Sequence, residues 1–173
     1  MKYRGYMGVA KPQAELGIRH LDADGNVMLR RRRGFRGLFS RKLVPDVQVA
    51  HGAVTDAFVQ FVVDQLQAED STIGDFKFHD SGIGVGAEAA ADTALGTPCG
   101  IARATGTQAE GGANIYKSVA TITYDGDYAV TEHGLFNIAA AGTLMDRTKF
   151  DAVNVSNTEK IEYTYQLTLS SGG

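Results

Sequence analysis

The chain has 173 residues, of which 43% are hydrophobic and 21% charged, enough apolar surface for one domain with a real core. Its apolar stretches fall far short of the roughly 18 residues a membrane-spanning helix needs, and Met1-Lys2-Tyr3-Arg4-Gly5-Tyr6 lacks the apolar region of a secretory signal. A single cysteine, Cys99, excludes an internal disulfide framework and a cysteine-built zinc site, and twenty-one glycines against three prolines point to turns rather than a helical bundle.

The net charge of −3 conceals a division. Residues 1–50 carry eleven basic and four acidic side chains, whereas residues 51–173 carry six basic and sixteen acidic ones. The first part is therefore +7 and the second −10. This asymmetry predicts an extended basic N-terminal arm, residues 1–45, joined to an acidic body, residues 46–173. Opposite charges on the two parts also favour self-association.

Within the arm, Ile18-Arg19-His20-Leu21 and Val27-Met28-Leu29 flank Asp22-Ala23-Asp24-Gly25-Asn26, which reads as a hairpin turned by Asp-Gly. The acids brush the calcium-loop pattern, but the glycine falls too early and no glutamate closes the loop. Arg30 to Lys42 holds seven cations and no acid. The predicted partner-binding set is Arg30, Arg31, Arg32, Arg33, Arg36, Arg41 and Lys42, with Phe35 and Phe39 as apolar anchors. Docking onto an acidic protein is the leading reading of this run. A solvated basic face is the plain alternative, and single-stranded nucleic acid ranks last because the acidic body would repel phosphates.

The spacing of Ala57, Phe58, Phe61, Val62 and Leu66 predicts a helix over about 54–68, capped by Thr55 or Asp56. Its Phe58, Phe61 and Leu66 should cover a sheet. From Asp75 onward the period becomes two. Strands are predicted at Phe76–His79, Ile115–Tyr124, Tyr128–Thr131 and Leu144–Phe150, with Asp125-Gly126-Asp127 turning the second into the third as a hairpin. The clearest strand comes last, where Ile161, Tyr163, Tyr165, Leu167 and Leu169 alternate with polar residues. Together these elements predict a mainly β fold, an antiparallel β-sandwich with one packed α-helix.

Catalytic patterns are weak. Ser81-Gly82-Ile83-Gly84-Val85-Gly86 is glycine-rich, but its spacing departs from the dinucleotide fingerprint and no parallel-sheet pattern follows, so a structural turn is the better reading. His79-Asp80 and Glu132-His133 set acids beside imidazoles without any two-ligand zinc motif. Cys99, in Gly96-Thr97-Pro98-Cys99-Gly100, reads as a buried or incidental thiol. No enzyme, cofactor or metal centre is expected.

The run Phe76-Lys77-Phe78-His79-Asp80-Ser81-Gly82-Ile83-Gly84-Val85-Gly86 is followed by Asp92-Thr93-Ala94-Leu95 and Arg103-Ala104-Thr105-Gly106-Thr107. Val119–Tyr124, Val130-Thr131-Glu132-His133-Gly134-Leu135-Phe136 and Gly142–Phe150 then precede the final strand. This order of motifs resembles a widespread group of tailed-bacteriophage virion proteins, labelled head decoration, cement or tail-fibre-associated proteins. The resemblance spans residues 50–173; the first 45 residues carry no part of it. It implies a non-enzymatic virion structural protein. The leading form is a capsid decoration or cement protein that binds the major capsid protein and stabilises the head shell as a small homo-oligomer, a trimer first. The alternative is a tail, collar, baseplate or fibre-associated protein. Either would reside in the virion after synthesis in the host bacterial cytoplasm, with no membrane partner and with nucleic acid ranked well below protein. Among the motif residues, Glu132 and Arg147 are predicted to pair across neighbouring strands.

Overall fold

The computed structural model describes residues 13–31, 43–67 and 75–169. Strand β1 spans Gln13–Leu21, β2 Leu29–Arg31, β3 Leu43–Pro45 and β4 Val47–Val54, and helix α1 spans Asp56–Gln67. Seven strands follow: β5 (Phe78–Gly82), β6 (Ala104–Thr105), β7 (Thr107–Gly112), β8 (Ile115–Thr123), β9 (Tyr128–Phe136), β10 (Leu144–Val155) and β11 (Lys160–Thr168). Nine of these strands form one antiparallel sheet in the order β6-β5-β9-β10-β4-β1-β11-β8-β7, while β2 and β3, among the described residues, pair only with each other.

The sheet curls until its two ends nearly meet. Only Gly106 separates β6, at one edge, from β7, at the other. The Gly106 N–H extends the β5–β6 pairing by donating to Lys77 O at 2.7 Å, and across the seam the Tyr116 hydroxyl of β8 donates to Phe76 O. A curled, nearly closed sheet lets one set of alternating side chains from every strand share a single interior. That interior holds Leu16, Ile18, Ile122, Val130, Val153, Ile161, Tyr163 and Tyr165. Strand β11 follows its predicted alternation, with Ile161, Tyr163, Tyr165 and Leu167 all buried; Leu169 lies just beyond the strand and is exposed.

Helix α1 begins where predicted. The Thr55 hydroxyl accepts a hydrogen bond from the Phe58 N–H at 3.2 Å, satisfying one of the free donors of the first turn. The same hydroxyl donates to Leu144 O, tying the cap to β10. Phe58 and Phe61 both meet the Phe76 ring edge-on, with centroids 5.1 and 5.0 Å apart. The side chain of Leu66 lies outside the described residues.

Three expectations change. The body is one continuous curled sheet rather than two stacked ones. Of the predicted arm, residues 13–21 belong to the body instead, because β1 lies between β4 and β11 with Leu16 and Ile18 fully buried; residues 1–12 and 32–42 lie outside the described residues. The charge division obscured the alternation of Ala14, Leu16, Ile18 and His20, which is that of an inner strand. Strands β8 and β9 do not form a hairpin: β8 pairs with β7 and β11, and β9 with β5 and β10. Gly126 lacks the positive φ of a tight hairpin turn, unlike Gly25, whose φ of 89° closes the Asp22–Asn26 turn as expected. The buried Glu132 and His133 of β9 also find their partners on the β5 and β10 side.

What does project is the β2–β3 ribbon, inserted between β1 and β4. Its base is held by Met28 N–H to His20 O and Asp46 N–H to Met28 O. Beneath it, buried His20 is 3.1 Å from Asp46 and 3.3 Å from Glu159.

An arm can be removed without unfolding a body, but a central strand cannot. A chain beginning at residue 22 should show no cooperative thermal transition, and Leu16→Ala should cost roughly 2–5 kcal/mol in denaturant unfolding. A truncated chain that melts like the full one would refute the placement of β1.

Candidate functional site

Glu132, on β9, is fully buried, and both its carboxylate oxygens are engaged. Oε1 accepts from the Gly84 N–H at 2.9 Å and the Thr97 N–H at 2.8 Å. Oε2 accepts from the Gly96 N–H at 3.1 Å and from Arg147 Nε at 2.8 Å, with Arg147 Nη2 at 2.7 Å. Burial alone would raise the Glu132 pKa; the Thr97 and Gly96 N–H groups, Arg147 and the Gly84 N–H reverse this and hold it below the ordinary value. The predicted Glu132–Arg147 pair is therefore present. It runs diagonally, since Arg147 stands opposite Gly134 and Lys149 opposite Glu132.

Arg147 spreads its remaining donors over the loop that follows β5. Its Nη1 donates to Asp92 Oδ2 at 2.9 Å and Ala87 O at 3.2 Å, and its Nη2 to Gly86 O at 3.2 Å. Two glycines of the glycine-rich stretch, Gly82 and Gly84, are thereby explained. A Cβ at Gly82 or Gly84 would overlap the Glu132 carboxylate. The N–H of Gly84 and those of adjacent Gly96 and Thr97 converge as a concave anion cradle, and here a carboxylate of the same chain fills it. Removing one partner of a buried ion pair costs about 3–5 kcal/mol, because the other charge is left uncompensated.

A second polar group lies across the seam. His79 Nδ1 and His133 Nε2 are 2.9 Å apart, and His79 Nε2 is 2.8 Å from Ser118 Oγ. All three residues are fully buried. A Cβ at Gly106 would collide with both Ser118 and His79, so only glycine lets the chain cross over this contact. The His133 ring lies against Tyr163 at 4.6 Å, and the Tyr163 and Tyr124 hydroxyls are 3.0 Å apart. Burial lowers the His79 pKa to about 3 and holds His133 well below its ordinary value. Both imidazoles are neutral at physiological pH. A serine beside an imidazole suggests a nucleophile and base, but this pair is sealed from solvent and braces β5 against β8.

Asp146, on β10, is also fully buried, and its Oδ1 accepts from the Thr148 hydroxyl at 2.6 Å. Burial, with Glu88 adding and Thr148 opposing, pushes its pKa up to about 7. Cys99 is half-buried, and burial pushes its thiol up to about 11, which makes it a poor nucleophile. Arg103 pairs with Asp80 at 3.0 Å, stacks over the Phe136 ring and donates to Ile138 O and Ala141 O, clamping the turn before β10.

Of the predicted partner-binding set, Arg30 lies on β2, half-exposed and 3.4 Å from Asp46, and Arg31 ends the same strand. Arg32, Arg33, Phe35, Arg36, Phe39, Arg41 and Lys42 lie outside the described residues. Sequence reading allows the two histidine–acid dipeptides as a metal site only if folding brings them together; folding does bring His79 and His133 together, as a buried imidazole pair, while Asp80 and Glu132 turn to Arg103 and Arg147. The same reading missed Asp146 entirely. Comparison of the chain with protein-family models, curated proteins and solved structures finds no match.

The buried groups give opposing responses to acid. His79 and His133 have folded-state pKa values below the ordinary 6.5. Their contribution is full above that pH and is lost as pH falls toward the folded values. Asp146, raised from 3.8, contributes most below that value and loses its contribution as pH rises through about 7. Between these limits Asp146 offsets part of the histidine effect. Asp146→Asn should therefore steepen the loss of stability from pH 7 to pH 4 by about 1.4 kcal/mol per pH unit, measured by denaturant unfolding. An unchanged slope would show that Asp146 is ionised in the folded protein.

Proposed function

We propose that this chain is a non-enzymatic structural protein of a tailed-bacteriophage virion, a decoration or cement protein that binds the head shell as a small oligomer, a trimer first. The observation that carries this reading is the Glu132–Arg147 network. The motifs that bear the resemblance to phage virion proteins, Ser81–Gly86, Val130–Phe136 and Gly142–Phe150, are the segments this network ties together. Their charged and glycine residues serve one another rather than a substrate. The other reactive groups described here, the Ser118–His79–His133 line and the Cys99 thiol, are buried or weakly nucleophilic. A body so held suits a surface that must persist rather than react.

The partner in this reading is the major capsid protein, contacted by the cationic segment Arg30–Lys42 with Phe35 and Phe39 as apolar anchors. Contacts from arginine to an acidic shell weaken with salt. Locating the chain in assembled particles tests the proposal. A head protein appears over the shell in numbers comparable to the shell subunit, and high-salt washing reduces its occupancy. A few copies confined to the tail would favour a collar, baseplate or fibre role, and absence from particles would refute a virion role altogether.

A further inference from the structure

We propose that the joint between β4 and β10 is a pH-operated hinge, closed while the Asp146 carboxyl is protonated and opened when it ionises, so that the start of helix α1 parts from β10. The joint is the thinnest on either strand. Asp146↔Val54 and Arg147↔Ala53 pair across it, against six pairs between β4 and β1 and eight between β10 and β9. A register shift between Leu144 and Asp146 breaks the β9–β10 ladder beside it. The helix is moored at the same place. Thr55 N–H donates to Met145 O at 2.9 Å, and the Thr55 hydroxyl donates to Leu144 O and accepts from the Phe58 N–H at 3.2 Å. One short stretch of β10 thus holds the cap of α1 and carries the carboxyl.

Within the joint Asp146 has little to support a charge. Its Oδ1 accepts from the Thr148 hydroxyl, whereas its Oδ2 has no partner among the described residues. Both oxygens lie against Gly52 of β4, where a Cβ would overlap them. The groups facing it bring no cation. Strand β9 sets Leu135 opposite it and neutral His133 two residues along. From β11 comes the Tyr165 phenol, buried without a partner and held neutral by burial, with Asp146 and Tyr116 adding. The loop after β5 contributes Glu88, a charge of the same sign. Arg147 lies on the other face of β10 by alternation and is spent on Glu132 and Asp92. An ionised carboxylate so placed gains by moving to water. Water is close, because Gly52, Ala53 and Val54 are only half-buried.

Opening is therefore linked to one proton. Burial, opposed by Thr148 and assisted by Glu88, raises the Asp146 pKa to about 7 in the closed form, against 3.8 for a free carboxyl. Between these values the open form is ionised and the closed form is not. The open fraction then rises about tenfold per pH unit and levels off above about pH 7. Unfolding of the whole domain responds in the opposite sense. Exposing His79 and His133 lets both bind protons below their ordinary 6.5, and two histidines outweigh one carboxyl. The hinge does not depend on the virion reading and stands or falls separately from it.

Native-state hydrogen exchange from pH 5 to pH 6 separates the two motions. Protection factors at the Thr55 and Phe58 amides should fall about tenfold over that unit, while those of the inner β9 amides rise. Asp146→Asn should abolish the fall at Thr55 and Phe58 and leave the rise in β9. Thr148→Val removes the hydrogen bond that favours the ionised form, so its fall should continue above pH 7, where the wild type levels off. Protection at Thr55 and Phe58 that is flat, or that rises together with β9, would overturn the proposal, as would a fall that survives Asp146→Asn. Should either variant fail to fold, the opposite signs within the wild type still decide the matter.

Discussion

One carboxylate organises the part of this molecule that has no regular structure. Between β5 and β6 the chain runs from Ile83 to Arg103 without a strand or helix, yet Glu132 reaches it from β9 at Gly84, Gly96 and Thr97, and Arg147 from β10 at Gly86, Ala87 and Asp92. A buried pair of this kind adds little net stability over an apolar replacement, because desolvation offsets attraction. Its effect here is on geometry. Five donors must converge on the two oxygens of Glu132, which leaves one arrangement of the loop and demands glycine where backbone meets carboxylate.

A second constraint acts at the seam of the sheet. The two edges face one another without a continuous ladder, and side chains take over the bracing: His79 with Ser118, and Tyr116 with the Phe76 carbonyl. This places imidazoles, phenols and a carboxyl inside an otherwise apolar interior. Each is held neutral or hydrogen-bonded, as burial requires. The opposing titrations of Asp146 and the two histidines follow from that confinement. Among the described residues, His133 Nδ1, Asp146 Oδ2 and the Tyr165 hydroxyl are buried without a hydrogen-bond partner, whereas His79, Ser118 and Tyr116 hold the seam.

Much of this was legible from residue order. The alternation of β11 and the capping and spacing of α1 were local signals that tertiary structure preserved. The Glu132–Arg147 pair was legible as two oppositely charged motif residues on neighbouring predicted strands, although Asp146 and Lys149 stood in the same motifs. The place of β1 was not, since a strand of only nine residues with arginine and histidine in it, embedded in a basic segment, reads as surface until its neighbours are known. The β8–β9 hairpin failed for a different reason. Turn composition predicts a reversal, but it does not say whether the next strand returns beside the last or crosses to the other wall. The His79–His133 contact and the burial of Asp146 depend on that crossing and leave no mark in local sequence.

The basic run also changes character once the ribbon is seen. It connects two short strands that leave the body together and return to it, so its two ends are fixed rather than trailing. The central claim remains the cradle around Glu132, and native-state hydrogen exchange tests it directly. The amides of Gly84, Gly96 and Thr97 belong to no strand or helix, so ordinary loop behaviour would exchange them quickly. Bound to a buried carboxylate, they should exchange as slowly as the inner amides of β9 and β11. Exchange at the rate of the exposed Asp125–Asp127 turn would contradict the account.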